Sequence, residues 1–372
     1  MLVEDGGDLS FEGAIRRSEA AAVWTWLSRD VAPDLIDPNA PADDPRTLPA
    51  LEALTSVLLS RARAHIAAAT SDPEADRRLR TQLGGAEMRR RLPTVLHALK
   101  CLPLYDKARA FGRTVNSLPD NAALLAALQA MPWHDGATAS LLMVAALGEV
   151  AVPERLIICA TRIAGEATEA ALQRARLGPL VEGTLARAQD TLLPLRQVGA
   201  FADVDLVCQA LERFHRLTRA VSTSVELARG SRWSTAIGSL TRTVSQRIEP
   251  RLRQVVPDIN RAMRQMREGP DRLDNDALLS ALGGVYVLAT VRDCRDSLAL
   301  NEVFDETWTR SGQTLELCLD RTLDALRDDP GNGVLASRLD TGIKMAELRF
   351  GAAYADVLRR AKDGIEKRLS SA

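Results

Sequence analysis

Hydrophobic residues recur along this chain at spacings of three and four positions, and strict alternation of hydrophobic and polar residues is rare. Spacings of three and four place the hydrophobic side chains on one face of an α-helix, whereas alternation would indicate a β-strand. The pattern therefore predicts helix from one end of the chain to the other, and we expect an all-α fold.

The N-terminal half predicts an array of shorter helices separated by prolines. A first helix is expected over about residues 11–29, followed by the proline-rich stretch 32–46, which cannot continue a helix. Asp72-Pro73 has the sequence of a helix start, and Gly84-Gly85 of a helix end. Further helices up to about residue 200 are expected to be interrupted at Pro93, Pro103, Pro119, Pro132 and Pro153.

The C-terminal half predicts longer helices. A heptad-like stripe runs from Val204 to Ala228, and a looser stripe over 237–266 is expected to bend or break at Pro250 and Pro257. Further stripes cover 276–299 and 301–327, and one from 334 to 369 would form a helix of about 54 Å if it continued through a glycine. Long amphipathic helices joined by short turns fold back on one another, so we expect a bundle of long antiparallel helices.

These patterns divide the chain into three regions. Residues 1–46 would form an N-terminal helix with its proline-rich linker, 47–200 a multi-helix region, and 201–372 the long-helix bundle. Aromatic residues make up only 4% of the chain, so the core must be built from Leu, Ala, Val and Ile.

The cysteines and the apolar segments indicate the cellular compartment. Five cysteines lie far apart and form no C-x-x-C pair, which is typical of reduced thiols in a cytosolic protein. The first residues are acidic and lack the apolar run of a secretory signal. The most apolar stretch, 139–152, has fourteen residues and contains Glu149, too short and too polar to cross a bilayer. We expect a cytoplasmic protein without a membrane segment.

Positive charge is concentrated in two blocks, and 43 of the 48 basic residues are arginine. Residues 77–113 carry a net charge of +8 and residues 213–267 a net charge of +9, and acidic regions separate them. The blocks could bind an acidic partner or nucleic acid, or they could pair with the acidic regions inside the fold. Codon bias in a GC-rich genome is the interpretation that we favour for the arginine excess itself.

The candidate motifs for catalysis or metal binding are incomplete. Glu212-x-x-His215, one turn after Cys208, has the spacing of a helical metal site, but no second Glu-x-x-His pair exists to complete it. The heptad assigns Leu211 and Phe214 to the core and leaves Glu212 and His215 on the flank. We therefore interpret the stretch as an ordinary packing helix and not as a metal site. The aspartates at 271, 274 and 276 stand where a helix begins and suit capping. No glycine-rich phosphate loop or nucleophile elbow occurs, and we predict no catalytic residue, cofactor or metal.

By elimination, the sequence predicts a non-catalytic interaction protein, that is an adaptor, scaffold or regulator, which docks a protein partner or self-associates through helix faces. Trp24 and Trp26 point about 200° apart on a helix, so either one is exposed as a partner anchor or the helix is buried on two sides. The alternative is an enzyme whose site is assembled from scattered polar residues, and the third hypothesis is nucleic-acid binding. The candidate partner-binding residues are Trp24, Trp26, Arg89, Arg90, Arg91, Arg253, Arg261, Arg264 and Arg267.

Overall fold

The chain is all-α, as predicted. A computed structural model describes residues 2–3, 13–36, 47–131, 133–197, 203–264 and 272–370, and these contain sixteen α-helices. The only strands in this described part are the two-residue segments Leu2–Val3 and Ile15–Arg16, which pair in parallel. The helices form two compact units, residues 1–190 with 216–237 and residues 191–215 with 238–372. The three predicted regions remain predictions.

Unit 1 contains mostly short helices, with Thr47–Ser71, of 25 residues, as the exception. A π-helical turn, Leu27–Val31, follows the first of them. Its ten complete helices are α1 (Arg17–Trp26), α2 (Thr47–Ser71), α3 (Pro73–Leu83), α4 (Ala86–Lys100), α5 (Tyr105–Ser117), α6 (Asn121–Gln129), α7 (Gly136–Leu147), α8 (Pro153–Ala164), α9 (Glu169–Arg174) and α10 (Gly178–Asp190).

Helix ends in unit 1 follow the sequence signals. The Asp72 side chain accepts a hydrogen bond from the Glu74 backbone N–H, and Pro73 occupies the first position of α3. Gly84 ends the helix at φ 89°, a left-handed conformation that glycine adopts without a steric penalty. The predicted start and end of this helix are therefore confirmed.

Three prolines that we expected to interrupt helices lie inside them. Helix α4 runs through Pro93, and α12 (Arg232–Ala262) runs through Pro250 and Pro257. All three prolines are exposed, so water can donate to the backbone carbonyls that lose their helical partner. The buried faces of these helices hold them in place. The predicted interruption at Pro93 was wrong, and of the bend or break expected at Pro250 and Pro257, the break does not occur.

Helix α7 lies at the centre of the second half of unit 1. None of its residues is exposed, and it packs against α5 and α10. Glycines allow both approaches: a Cβ at Gly112 of α5 would lie 3.0 Å from the Ala146 Cα, and one at Gly183 of α10 would lie 3.3 Å from Leu147. The first half of unit 1, α1 to α4, encloses its own core around Trp26, Leu58 and Leu92.

Unit 2 contains the longer helices. Its complete helices are α13 (Asn275–Asp293), α14 (Asn301–Asp328), α15 (Gly333–Phe350) and α16 (Ala352–Ser370), and parts of α11 (Val204–Ser224) and α12 also belong to it. Helices α14 and α15 are antiparallel, because Arg349 contacts the Trp308 ring near one end and Leu319 contacts Gly342 further along. This helix pair is consistent with the predicted bundle of long antiparallel helices.

The stripe at 334–369 does not form one long helix. Gly351 adopts φ 97° and ψ 169°, which ends α15 and starts α16 in a new direction. Ion pairs from Arg359 to Glu347 and from Lys362 to Asp340 then hold α16 antiparallel to α15. A helix of about 54 Å is therefore replaced by a helical hairpin. Among the described residues, no helix is both long and apolar enough to cross a membrane.

We expect Gly112→Ala to destabilise the protein by about 2 kcal/mol, because the new methyl group would force α5 away from α7. The control is Gly238→Ala in α12, where a Cβ meets nothing within 4 Å. Since alanine is favoured over glycine in a helix by about 1 kcal/mol, the control should not destabilise. Denaturant unfolding of both variants measures the difference, and equal effects would contradict the close helix contact.

Candidate functional site

The two tryptophans of α1 have different environments. Trp26 is fully buried and packs edge-on against the His65 ring, with 6.0 Å between ring centroids. Trp24 is 38% exposed. Helix α1 thus buries one tryptophan and leaves the other accessible, which was the first of the two alternatives. The predicted role in partner binding now depends on Trp24, and it remains a prediction.

The first predicted arginine cluster, Arg89 to Arg91, forms ion pairs within unit 1. Arg91 donates to the carboxylate of Glu19, which is buried, and to the backbone carbonyl of Ala14. The neighbouring pairs are Arg89 with Asp76 at 3.4 Å and Arg90 with Glu87 at 2.5 Å. These carboxylates reduce the positive charge that the cluster offers to an acidic partner.

The second predicted cluster lies in unit 2. Arg253 pairs with Glu249 at 2.7 Å and Arg261 with Asp274 at 3.4 Å, while Arg264 is exposed. Arg267 lies outside the described residues. Exposed ion pairs of this kind contribute little to stability, about 0–1 kcal/mol, so a partner could compete for these arginines.

The Glu212-x-x-His215 motif lies on the flank of a packing helix, as interpreted from the heptad. Leu211 and Phe214 are fully buried, and Glu212 is exposed. The Nδ1 atom of His215 lies 2.9 Å from the Ser297 hydroxyl, a contact within unit 2.

One of the three aspartates near the start of α13 has a structural role, while Asp271 lies outside the described residues. Asp274 caps the helix by accepting from the Ala277 backbone N–H at 2.9 Å. In the described ranges, no group of three His, Cys, Asp or Glu side chains is placed to hold a metal ion.

An arginine–aromatic cluster in unit 2 was not predicted. Helix α14 provides Phe304 and Trp308, one turn apart, whose rings stack with 5.5 Å between centroids. The Arg349 guanidinium of α15 lies 3.8 Å from the Trp308 ring centroid, and that of Arg292, at the end of α13, lies 5.4 Å from it. Three helices therefore bring two cations to one indole ring, an arrangement that cation–π attraction stabilises.

Gly312 allows Arg349 to lie against α14. A Cβ at this position would be 2.8 Å from the Arg349 Nη2 atom, which is closer than van der Waals contact. The Nε and Nη2 groups of Arg349 both donate to the Trp308 backbone carbonyl, at 3.2 and 2.8 Å. The guanidinium is thus fixed in position before any ligand arrives.

The charge of Arg349 is not balanced by a directly paired carboxylate within the described part of the chain. Burial lowers its pKa from the ordinary arginine value, Glu316 raises it and the positive charge of Arg292 lowers it further. Arg295, which lies over the Phe304 ring, differs because it pairs with Asp305 at 2.8 Å. A carboxylate or phosphate supplied from outside would remove the electrostatic cost at Arg349.

A second polar cluster, in unit 1, joins α4 to the start of α7. The His97 Nε2 atom lies 2.9 Å from the Thr138 hydroxyl, which donates to an Asp135 carboxylate oxygen at 2.6 Å. The Cys101 sulfur lies 3.6 Å from the same histidine nitrogen. Cysteine, histidine and a carboxylate are the components of a nucleophilic enzyme site, so this cluster tests the enzyme hypothesis.

The environment of Cys101 disfavours a thiolate. The residue is 4% exposed, and burial raises the pKa of its thiol. Nearby Tyr105 also has its pKa raised, to about 12, chiefly by burial. A reactive cysteine needs a lowered pKa and access to its substrate. The hydrogen-bonded chain from His97 to Asp135 therefore acts as a structural connection between two helices. The spacing of His97 and Cys101, one helical turn apart, is the sequence signal that could have indicated this cluster, which was not predicted.

No family model matches this chain, and neither a curated protein nor a solved structure was found to be similar to it. The functional argument therefore depends on the geometry of the described residues.

We expect Asp135→Ala to destabilise the protein more at neutral than at acidic pH. Asp135 caps α7 and accepts from the Thr138 hydroxyl, and these bonds lower its pKa. A carboxyl whose pKa is lower in the folded state stabilises above its unfolded pKa, and this contribution disappears as the pH falls through the folded value. The expected cost at pH 7 is about 2 kcal/mol.

The matched control is Asp120→Ala, because Asp120 caps α6 through a backbone N–H without an added hydroxyl bond. Its expected cost is about 1 kcal/mol. Unfolding free energies at pH 7 and at about pH 3 measure both variants. A cost for Asp135→Ala that did not decrease with falling pH would contradict the assignment.

Proposed function

We propose that this protein is a non-catalytic interaction protein, an adaptor, scaffold or regulator, and that its long helices dock an acidic protein partner. The observation that carries the proposal is the Arg349 guanidinium, which lies over the Trp308 ring and donates to its carbonyl, without a carboxylate in direct contact among the described residues. Interfaces concentrate their binding energy in arginine and tryptophan residues that are preorganised in this way.

The geometry favours a carboxylate-bearing helix or loop as the ligand. Arg292 is exposed and lies beside Arg349, so the two can engage neighbouring acidic side chains. The exposed ion pair from Arg292 to Asp293, at 2.8 Å, is weak enough to be exchanged for a contact with the partner. Arg91 of the first predicted arginine cluster is held by the buried Glu19, whereas the pairs of the second cluster in unit 2 are exposed, which supports unit 2 as the docking unit.

Nucleic acid binding is the competing hypothesis. Single strands bind through a basic groove with several exposed aromatic rings, on which successive bases stack. Here the face of Trp308 is covered by Arg349, and the Phe304 ring is buried. The rings are therefore occupied by arginine, which supports a protein partner over a single strand.

The test uses a synthetic acidic helical peptide rich in glutamate, with binding measured by fluorescence anisotropy. We expect Arg292→Gln and Arg349→Gln each to weaken binding about tenfold, because each loses a charge-assisted hydrogen bond of about 1.5 kcal/mol. Thermal unfolding checks that each variant remains folded. Arg292→Gln is the more robust of the two because Arg292 is exposed.

Arg310→Gln is the matched control. Arg310 is on the same helix as Trp308 and is exposed, and like Arg292 it has an exposed ion pair, with Glu306 at 2.9 Å. Unlike Arg292 and Arg349, it contacts no aromatic ring among the described residues. It should change peptide affinity less than twofold. Equal losses for all three variants would indicate non-specific charge attraction, and tighter, steeply salt-dependent binding of a single-stranded oligonucleotide would favour the competing hypothesis. Either result would overturn the proposal.

A further inference from the structure

Helix α13 is apolar on nearly every side, and most of its surface is covered by other helices of unit 2. Arg251 of α12 packs on Gly284, and Val204 of α11 packs on Gly283. Helices α14 and α15 also contact it. One line of residues remains accessible along the whole helix, and we call it the α13 seam. The seam consists of Asn275, Leu279, Leu282, Tyr286, Ala289 and Asp293.

The seam has the spacing of a coiled-coil interface. Its residues follow one another at intervals of four, three, four, three and four, which is the a/d pattern of a heptad. Leu279 is 68% and Tyr286 45% exposed, and Leu282 between them is half-buried. A surface helix normally presents polar residues to water, so an apolar a/d line on the outside indicates a helix that packs there.

We propose that the α13 seam pairs with the α13 seam of a second copy of this chain. The two helices run antiparallel, and the two-fold axis crosses the seam between Leu282 and Tyr286, at the level of Gly284 along the helix. In this arrangement, Leu279 of one copy meets Ala289 of the second copy, because both lie five positions from Gly284. Leu282 meets Tyr286 of the second copy in the same way, since both lie two positions from it. Every apolar layer then contains one leucine, so no layer lacks a large side chain to fill the space between the helices.

The ends of the seam select the antiparallel direction. Asn275 and Asp293 both lie nine positions from Gly284, so the amide of one copy can donate to the carboxylate of the other. A parallel pair would instead place Asp293 against Asp293, where like charges repel. It would also place a layer of two Tyr286 side chains next to a layer of two Ala289 side chains, which cannot keep one helix separation. The seam is therefore complementary to itself in the antiparallel direction alone, as an isologous dimer interface requires.

The size of the seam sets the expected affinity. It extends for about 27 Å at 1.5 Å per residue, and it contains four apolar residues per copy. Because an interface of this size is at the small end for specific complexes, we expect a dissociation constant of about 10 µM.

The first test is sedimentation velocity over about 1 to 100 µM protein, which brackets that affinity. The wild-type chain should change from its monomer mass of 40.4 kDa to twice that mass. Leu279→Glu and Tyr286→Glu should each shift the midpoint upward at least tenfold. Both residues are exposed, so these variants should fold. The control Leu317→Glu changes a 50% exposed leucine of α14 outside the seam and should leave the midpoint unchanged.

The second test determines the direction of pairing by disulfide formation under mild oxidation. The double variant Leu279→Cys with Ala289→Cys should cross-link between copies, because an antiparallel pair brings these positions together. The single variants Leu279→Cys and Ala289→Cys are the controls and should not cross-link, since their own copies lie about 15 Å apart along the axis. Rapid cross-linking of either single variant would show a parallel pair and overturn the proposal.

A chain that stays monomeric at every concentration would also overturn the proposal. This holds even if the seam then binds a different protein. The outcome is independent of the peptide experiment above. Arg349→Gln, on α15 and outside the seam, should weaken peptide binding but leave the dimer unchanged, so a failure of one proposal can be distinguished from a failure of the other.

Discussion

Burial of two helices that are apolar on nearly every side, α7 and α13, is the constraint on which the rest of the structure depends. A helix with little polar surface is stable only where other helices cover most of it. In unit 1, α5 and α10 cover α7, and in unit 2, α11, α12, α14 and α15 cover α13. Helix α5 keeps an exposed face, whereas α10, like α7, has no exposed residue. The seam of α13 is the one line that this covering leaves open along its length in the described structure.

Few aromatic residues are available to fill the space between helices, and arginine partly replaces them. Three arginine side chains lie against glycines: Arg187 against Gly148 just after the end of α7, Arg251 against Gly284, and Arg349 against Gly312. The long aliphatic part of arginine packs like a hydrophobic side chain, while the planar guanidinium donates to backbone carbonyls. Arg251 shows this most clearly, because it is 4% exposed, pairs with Asp258 at 2.6 Å and donates to the Ser280 carbonyl.

This use of arginine connects packing with the proposed function. Arg251 is compensated by a buried carboxylate, so its charge is used within the fold. Arg349 occupies a similar glycine notch on α14, but no carboxylate among the described residues pairs with it directly. The difference between the two arginines is the presence of Asp258 beside one of them. The proposed docking cluster and the proposed dimer seam both involve α13, the first through Arg292 at its end and the second along its open line.

The sequence by itself determined the helical class and several helix ends. These depend on local spacing and on caps such as Asp72 and Asn332, which act within one turn. It could not determine whether Pro93 and Pro257 break their helices or whether Gly351 does, because packing of the opposite face decides between kinking, continuing and stopping. The contact of Arg349 with Trp308 joins residues 41 positions apart, and the His97–Thr138 bond joins two helices. Such contacts have no local signature, since only the packing of helices against one another brings these side chains together.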